Sequence, residues 1–183
     1  MTTSTPDLAQ MVAQLGGSQA PGLAQTFDRR YINSSAFVPT SQTLYMSGIW
    51  LPAGITVTNI VCFSGGTGVT TNGHFLLGLY TSSLALLAGS TDDTTSTDFA
   101  ANTRISKALT AAQLITSTGL YYIGYLQSAS TPNTVLTAAA PASSIANADV
   151  PVVSASSSTS QTALPTTAGS LTAIVQSIYA YVS

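Results

Sequence analysis

From residue 41 onward the sequence is a series of short runs rich in Val, Ile, Thr and Tyr, separated by Gly, Pro, Asn and Ser. Regular runs of this kind, each followed by turn residues, are typical of antiparallel β-sheet proteins. The pattern predicts strands near residues 43–51, 55–64, 74–81, 84–89, 103–108, 119–127, 134–139 and 171–182. We therefore expect an all-β fold, an antiparallel jelly-roll-like β-sandwich with a short amino-terminal helix and extended arms.

The run "GLYYIGYLQ", residues 119–127, carries large side chains on both faces of its predicted strand. Successive side chains of a strand point to opposite faces, so the alternation separates two sets: Leu120, Tyr122 and Leu126 on one face, and Tyr121, Ile123 and Tyr125 on the other. A strand that is apolar on both faces is expected to be covered on both. The sequence therefore places this strand at the centre of a sandwich.

The amino terminus has the pattern of a short helix. Thr5-Pro6-Asp7 supplies a hydroxyl cap, a proline at the first helical position and an acid near the positive end of the dipole. One apolar face follows at helical spacing, made of Leu8, Met11, Val12 and Leu15. A helix of about ten residues is marginal alone in water. We expect its apolar face to dock on the main domain or on another subunit.

Composition divides the chain into four segments. These are a helix and linker that form an attachment arm (1–40), a β-sandwich domain (41–140), a Ser/Thr/Ala/Pro-rich excursion or flexible arm (141–170), and a strand that returns to the sheet or to a neighbouring subunit (171–183). A short strand at 150–153 and a helical turn at 111–115 are further expectations.

Charge is scarce in this chain of 183 residues, of which 5% are charged and 45% apolar, with a formal net charge of −2. There is no basic stripe to neutralise phosphates, so nucleic-acid binding is not expected. No apolar run is long enough to span a bilayer, and the amino terminus lacks the pattern of a secretion signal. A β protein of this composition without an export signal suggests a particle assembled in the cytoplasm and released by lysis.

A glycine cluster and the single cysteine could each have a chemical role, but both are interpreted as structural. Gly65-Gly66-Thr67-Gly68 follows a predicted strand, but it lacks the third glycine of a dinucleotide loop and the Gly-Lys-Ser/Thr of a phosphate loop. Asn72-Gly73 downstream predicts a two-residue hairpin, so the glycines are interpreted as a turn. The single Cys62 lies in an apolar run and is interpreted as a buried small side chain. No cofactor is expected.

The acidic cluster and the single histidine are the remaining chemical candidates. Asp92, Asp93 and Asp98 are interpreted as a solvated loop, with a weak Ca²⁺ site or a pair of glycosidase carboxylates as alternatives. His74 begins a predicted strand and is interpreted as a rim residue. Zinc is not expected, because metal sites need several ligands of the His, Cys or carboxylate type.

Asp28-Arg29-Arg30-Tyr31 is the densest charge in the chain. Two arginines beside an aromatic ring are suited to gripping carboxylates of a partner. An exposed linker and an intramolecular ion pair are the alternatives. The strand-borne aromatics are expected in the core or at a subunit interface rather than in a glycan site: Tyr45, Trp50, Tyr80, Tyr121, Tyr122, Tyr125, Tyr179 and Tyr181.

Three segments carry a family resemblance. In chain order they are "LPAGITVTNIVCF" (51–63), "GLYTSSLALLAGS" (78–90) and "TGLYYIGYLQ" (118–127). Together they resemble small β-sandwich virion proteins of tailed bacteriophages, of the minor-tail, fibre and head-decoration kind. The resemblance spans about residues 43 to 140 and implies a strand leading into a Pro-x-Gly corner, a Gly-Leu-Tyr strand turning into a Leu-Leu-Ala strand, and a central Gly-x-Tyr-Tyr strand. Ser82-Ser83 replaces the Asp or Gly turn of many relatives.

The resemblance implies a non-enzymatic structural protein on the surface of a phage particle, as capsid decoration, head fibre or minor tail protein. Its expected partners are capsid or tail subunits and further copies of itself, most simply as a trimer that covers edge strands. The residues expected to attach it are Leu8, Met11, Val12, Leu15, Asp28, Arg29 and Arg30. The alternatives are a receptor- or glycan-binding module on the host surface and a polysaccharide depolymerase.

Overall fold

Strands dominate the computed structural model, which describes residues 22–94, 100–139 and 154–183. Those residues form thirteen strands: β1 (Ala24–Gln25), β2 (Asn33–Phe37), β3 (Thr43–Leu51), β4 (Thr56–Phe63), β5 (Asn72–Thr81), β6 (Leu86–Gly89), β7 (Arg104–Leu114), β8 (Gly119–Ala129), β9 (Val135–Ala139), β10 (Ser154–Ser156), β11 (Thr172–Ala173), β12 (Gln176–Ile178) and β13 (Ala180–Val182). A single-turn 3₁₀ helix spans Arg29–Tyr31. The expected all-β class is confirmed, whereas the predicted amino-terminal helix lies outside the described residues.

The strands form three antiparallel sheets. The six-stranded sheet has the order β11-β10-β3-β8-β5-β6, the four-stranded sheet β1-β13-β4-β7, and the three-stranded sheet β12-β9-β2. The corner at Pro52-Ala53-Gly54 carries the chain from β3 in the six-stranded sheet to β4 in the four-stranded sheet. Gly54 has φ +90°, a conformation that favours glycine because it has no Cβ.

The main core lies between the six-stranded and four-stranded sheets. Alternate side chains of β3, β5 and β8 meet those of β4, β7 and β13 there, among them Ile49, Leu77, Ile123, Ile60 and Val182. On β8 the inner face carries Tyr121, Ile123 and Tyr125, and the outer face carries Leu120, Tyr122 and Leu126. The prediction that β8 is a central strand covered on both faces is confirmed.

A second apolar cluster lies on the outer face of the six-stranded sheet. Its cover is the segment 157–171, which we call the covering segment, and which contributes Leu164, Ala168 and Leu171. Backbone hydrogen bonds hold it at its start and in its second half: Ser157 N–H donates to Leu44 O (2.9 Å), and Leu86 N–H donates to Thr166 O (2.9 Å). The described part of the predicted excursion is therefore a packed layer.

A row of glycines makes room for this layer. Gly78 pairs with Gly89 on one side and with Gly124 on the other. A Cβ added at Gly89 would lie 2.7 Å from Leu164 Cδ1, and one at Gly124 would lie 2.7 Å from Tyr80 Cε2. The absent side chains leave a trough that the Tyr80 ring and Leu164 fill.

Two local predictions are wrong. Residues 111–114 belong to β7 instead of a helical turn, because Gln113 and Leu114 pair with Val57 and Thr56 of β4. Asn72-Gly73 forms no hairpin, since it lies in β5, where Asn72 pairs with Ala129, while β4 belongs to another sheet.

The carboxyl-terminal run is three short strands instead of one. β11 joins the six-stranded sheet, β12 the three-stranded sheet, and β13 the four-stranded sheet, where it lies between β1 and β4. The strand predicted at 150–153 falls outside the described residues, and β10 begins at Ser154. Within the described ranges, no helix is long and apolar enough to cross a membrane.

Candidate functional site

In the glycine-rich connection between β4 and β5, the backbone amides of Gly65 and Thr67 are hydrogen-bonded within the chain. Gly65 N–H donates to Thr134 O (2.7 Å), and Thr67 N–H donates to Thr134 Oγ1 (2.9 Å). Thr134 N–H donates in return to Thr67 O (3.1 Å). These amides bind the chain itself, so the glycines carry the chain from one sheet to the other, as the turn interpretation predicted.

The acidic loop also binds the chain itself. His74 Nδ1 lies 2.5 Å from Asp92 Oδ2, and Asp92 Oδ1 accepts a hydrogen bond from Phe75 N–H (3.1 Å). Asp93 forms an ion pair with Lys107, and both side chains are largely buried. The two carboxylates thus fasten residues 91–94 to β5 and to β7.

This geometry brings together part of the predicted cluster. Asp92 and Asp93 bind different side chains of the chain, His74 and Lys107, while Asp98 lies outside the described residues. Among the residues described, no group of three or more His, Cys, Asp or Glu side chains is placed to hold a metal ion. His74 lies at the rim of the six-stranded sheet, with about a third of its side chain exposed (36%).

The charged linker forms an internal ion pair. Asp28 caps the 3₁₀ helix, with Oδ1 accepting from Arg30 N–H (2.9 Å), and its Oδ2 accepts from Arg30 Nη2 (2.7 Å). The hydrogen bond from the Arg30 side chain lowers the pKa of Asp28. Three roles were expected for this linker: partner contact, an exposed linker or an intramolecular ion pair. For Arg30 the structure shows the intramolecular ion pair. Arg29, its neighbour, lies beside an aromatic cluster.

That cluster covers the outer side of the four-stranded sheet. We call it the aromatic face, and it comprises Phe27, Ile32, Val61, Phe63, Tyr179 and Tyr181. The Phe63 and Tyr179 rings stack with centroids 5.8 Å apart at 27°, and Phe27 packs on Tyr179 at 5.3 Å. Aromatic pairs at these separations contribute beyond the area they bury, so the linker residues Phe27 and Ile32 anchor the chain on this sheet.

The aromatic face contains an open cleft of about 180 Å³, lined by Arg29, Ile32, Phe63, Leu136 and Tyr179. Burial raises the pKa of Tyr179, and the positive charge of Arg29 acts in the opposite direction. At the other side of the face, Arg104 Nε donates to Tyr181 Oη (2.9 Å), and its Cζ lies 5.8 Å from the centre of that ring.

The aromatic face gathers much of the chain's positive charge. Arg29 and Arg104 lie on it, which is two of the four basic residues in a chain of net charge −2, whereas Arg30 is paired with Asp28. An apolar cleft with an arginine at its rim is suited to an apolar side chain next to a carboxylate.

The sequence named Arg29 but missed the apolar residues around it. Phe63, Leu136 and Tyr179 come from three distant parts of the chain. Of the residues on this face, Phe27 and Ile32 could have been suggested by the sequence, because they flank the charged stretch on either side. The aromatic neighbour that the sequence did suggest, Tyr31, is 71% exposed and lies outside the cluster.

Most tyrosines occupy buried positions. Six of the eight lie at 5% exposure or less: Tyr45, Tyr80, Tyr122, Tyr125, Tyr179 and Tyr181. The expectation of core positions is confirmed for these. Trp50 differs, because it lies on β3 with 64% of its surface exposed.

Cys62 is fully buried in the main core. Burial raises the pKa of its thiol to about 12. A neutral buried thiol is a poor nucleophile, because the thiolate is the reactive form.

Comparison with known proteins adds no assignment. No family model matches this chain, and no curated protein shows significant sequence similarity to it.

Proposed function

We propose that this protein is a non-enzymatic structural protein of a bacteriophage particle, displayed on the particle surface as capsid decoration, head fibre or minor tail protein. The observation that carries the proposal concerns three short segments of the chain. Three separate stretches of sequence resemble virion sandwiches, and each of them adopts the strand or corner that the resemblance implies.

The first of these segments is the Pro52-Ala53-Gly54 corner between β3 and β4, with Gly54 at φ +90°. The second is the β5–β6 pair, in which Tyr80 pairs with Leu86 across a tight turn. The third is β8, which lies between β3 and β5 in the six-stranded sheet. These features support the proposed kinship at the level of strands and turns.

The proposal includes finer points that follow from it. The sandwich is of the jelly-roll type, and residues 1–40 form an attachment arm with a helix near its start. The attaching residues are Leu8, Met11, Val12, Leu15, Asp28, Arg29 and Arg30. The protein forms a trimer, joins other capsid or tail subunits in the host cytoplasm, and leaves with the particle at lysis.

The test is detection of the chain in purified particles from its source. A peptide tag inserted between Ser82 and Ser83 suits this, because the turn is exposed and joins only β5 to β6. We expect the tagged chain to co-purify with particles in a density gradient at a fixed copy number, and gold-labelled antibody to decorate the particle surface. Recovery only from the soluble fraction of the lysate would contradict the proposal, and the position of the label would separate head from tail.

A glycan-binding module is a second candidate, favoured by the exposed Trp50, since exposed indole rings stack on sugars. Trp50 is the only tryptophan, so its fluorescence reports directly on this site. We expect a shift in Trp50 emission with the cognate member of a panel of bacterial cell-wall glycans, and we expect binding of that glycan, measured by calorimetry, to be lost in Trp50→Ala. A panel without any response would remove this candidate. A depolymerase gains no support from Asp92 and Asp93, because each carboxylate is bonded to a side chain of its own chain, His74 and Lys107 respectively.

A further inference from the structure

We infer that the aromatic face is the docking site of the chain's own amino-terminal segment, residues 1–21, whose apolar stripe fills the cleft between Phe63, Leu136 and Tyr179. The inference stands on the geometry of this face and the sequence of the segment. It does not depend on the particle assignment. It assigns Leu8, Met11, Val12 and Leu15 to the chain's own domain in the free protein, so attachment through these residues would require the segment to leave the cleft.

The first support is where the described chain begins. β1 pairs with β13, and Leu23 N–H donates to Val182 O (2.8 Å). A Cβ added at Gly22 would lie 2.7 Å from Cδ2 of Tyr181, so the backbone of Gly22 lies against a ring of the aromatic face. The amino-terminal segment therefore joins the domain at the edge of this same face.

The second support is reach. The cleft residue Tyr179 lies two residues along the chain from Tyr181, a distance of roughly 7 Å in extended backbone. Leu8 is separated from Gly22 by a stretch of chain that spans roughly 50 Å when fully extended. A stretch that long is ample to return Leu8 to the cleft, and Gly16-Gly17 and Pro21-Gly22 supply positions at which the chain can reverse.

The third support is chemical complementarity. The segment offers apolar side chains at Leu8, Met11, Val12 and Leu15, and its only charged side chain is Asp7. The cleft is apolar, with Arg29 at its rim. A segment with an acid directly before its apolar stripe matches a cleft with an arginine beside its apolar floor.

The test uses disulfide trapping in the full-length chain. The variant Leu8→Cys/Leu136→Cys places one thiol on the stripe and one in the cleft. The native Cys62 is buried with a pKa raised to about 12, so it contributes no background. Trypsin cleaves after Arg29 and Lys107, so a disulfide within one chain joins peptides 1–29 and 108–183 in a monomer band.

The matched control is Gln10→Cys/Leu136→Cys, which moves the thiol off the apolar stripe and leaves the tether almost unchanged. We expect the Leu8 pair to oxidise about ten-fold faster than the control, because docking raises the effective concentration above that of a free tether. Equal rates for the two pairs would overturn the inference. A dimer band that grows with protein concentration would also overturn it, since the segment would then occupy the cleft of a second copy.

A second measurement needs no cysteine and guards against a misfolded variant. Hydrogen exchange of the unmodified chain is expected to show protected amides within residues 8–15. That protection should fall in Leu136→Gln, while protection of β8 stays unchanged. Unprotected amides at 8–15 in the unmodified chain would refute the inference.

Discussion

The two outer faces of the sandwich are covered in different ways. The outer face of the six-stranded sheet is sealed by the covering segment, which fits a trough of glycines and is hydrogen-bonded to β3 at its start and to β6 in its second half. Within the part of the chain that the structure describes, the linker around Phe27 and Ile32 crosses the outer face of the four-stranded sheet and leaves a cleft of about 180 Å³.

This difference between the two outer faces indicates where the chain has surface available for binding. On the sealed face, Gly78, Gly89 and Gly124 have no side chains, and this leaves room for the covering segment of the same chain. On the aromatic face, rings and arginines remain around a space that the described residues do not fill. The sealed face thus contributes to stability, and the aromatic face is the one suited to receive a further segment.

The largest expected effect is a pH dependence of stability that arises from Cys62. It tests whether water is excluded from the core between the six-stranded and four-stranded sheets, although their outer faces are covered to different extents. The Cys62 thiol has its pKa raised by burial to about 12, against 9.0 when exposed. Between these values the unfolded chain loses a proton that the folded chain keeps, so the free energy of unfolding falls as the pH rises. The loss approaches roughly 4 kcal/mol by pH 12 at 1.36 kcal/mol per unit.

The measurement is urea unfolding at intervals from pH 8 to pH 12, with Cys62→Ala as the control for tyrosine ionisation. We expect the variant to be less stable at pH 8 but to lose stability less steeply above pH 9. Parallel curves would mean that water reaches the inner side of the four-stranded sheet, and the contrast between a sealed interior and an open outer face would be lost.

The next effect tests the glycine trough. Gly124→Val places a side chain where a Cβ would already lie 2.7 Å from Tyr80 and 3.2 Å from Leu44. Both neighbours are fully buried, so we expect a loss of about 3 kcal/mol from overpacking. Gly119→Val is the matched control on the same strand, because nothing lies within 4 Å of its added Cβ. Urea unfolding of both variants checks this, and equal losses would show that the trough is unimportant.

A smaller effect tests whether the covering segment itself needs the trough. Gly89→Ala brings its methyl to 2.7 Å from Leu164 Cδ1, and the next neighbour is 3.9 Å away. Since Leu164 is the sole close contact, we expect Gly89→Ala to cost about 1 kcal/mol in the native chain and nearly nothing in Leu164→Ala. A double-mutant cycle by urea unfolding measures this coupling. A coupling energy of zero would mean that Leu164 does not sit on Gly89.

Strands with large alternating side chains were predictable from sequence. The bounds of β3 agree with the prediction at both ends, and both faces of β8 were assigned correctly. The strands β2 and β10, "NSSAF" and "SAS", were missed because Asn, Ser and Ala predominate in them and neither contains a β-branched residue. Their conformation depends on pairing, as between Ser154 and Ser47, which no local pattern encodes.

The candidate site was predictable only in part, for the same reason. Arg29 was singled out by local charge, but its cleft is built by register. Pairing of Tyr181 with Val61 of β4 brings the carboxyl-terminal tyrosines to the side of the sheet where Phe63 lies. Likewise, sequence recognised the β character of the last residues, but not that β11, β12 and β13 join three different sheets, because sheet membership is decided by tertiary contacts.

The smallest effect concerns the aromatic face. Arg104→Met removes the hydrogen bond to Tyr181 Oη and the cation over its ring, and exposed cation–π contacts contribute about 0.5–1 kcal/mol. Arg30→Met, the matched control, removes the same charge from the exposed pair with Asp28, and we expect a smaller loss that disappears in salt because surface ion pairs are screened. Urea unfolding at low and high ionic strength separates the two. A loss at Arg104 as large as that for Gly124→Val would mean that the aromatic face is sealed as tightly as the opposite one, and its assignment as the face suited to receive a further segment would then fail.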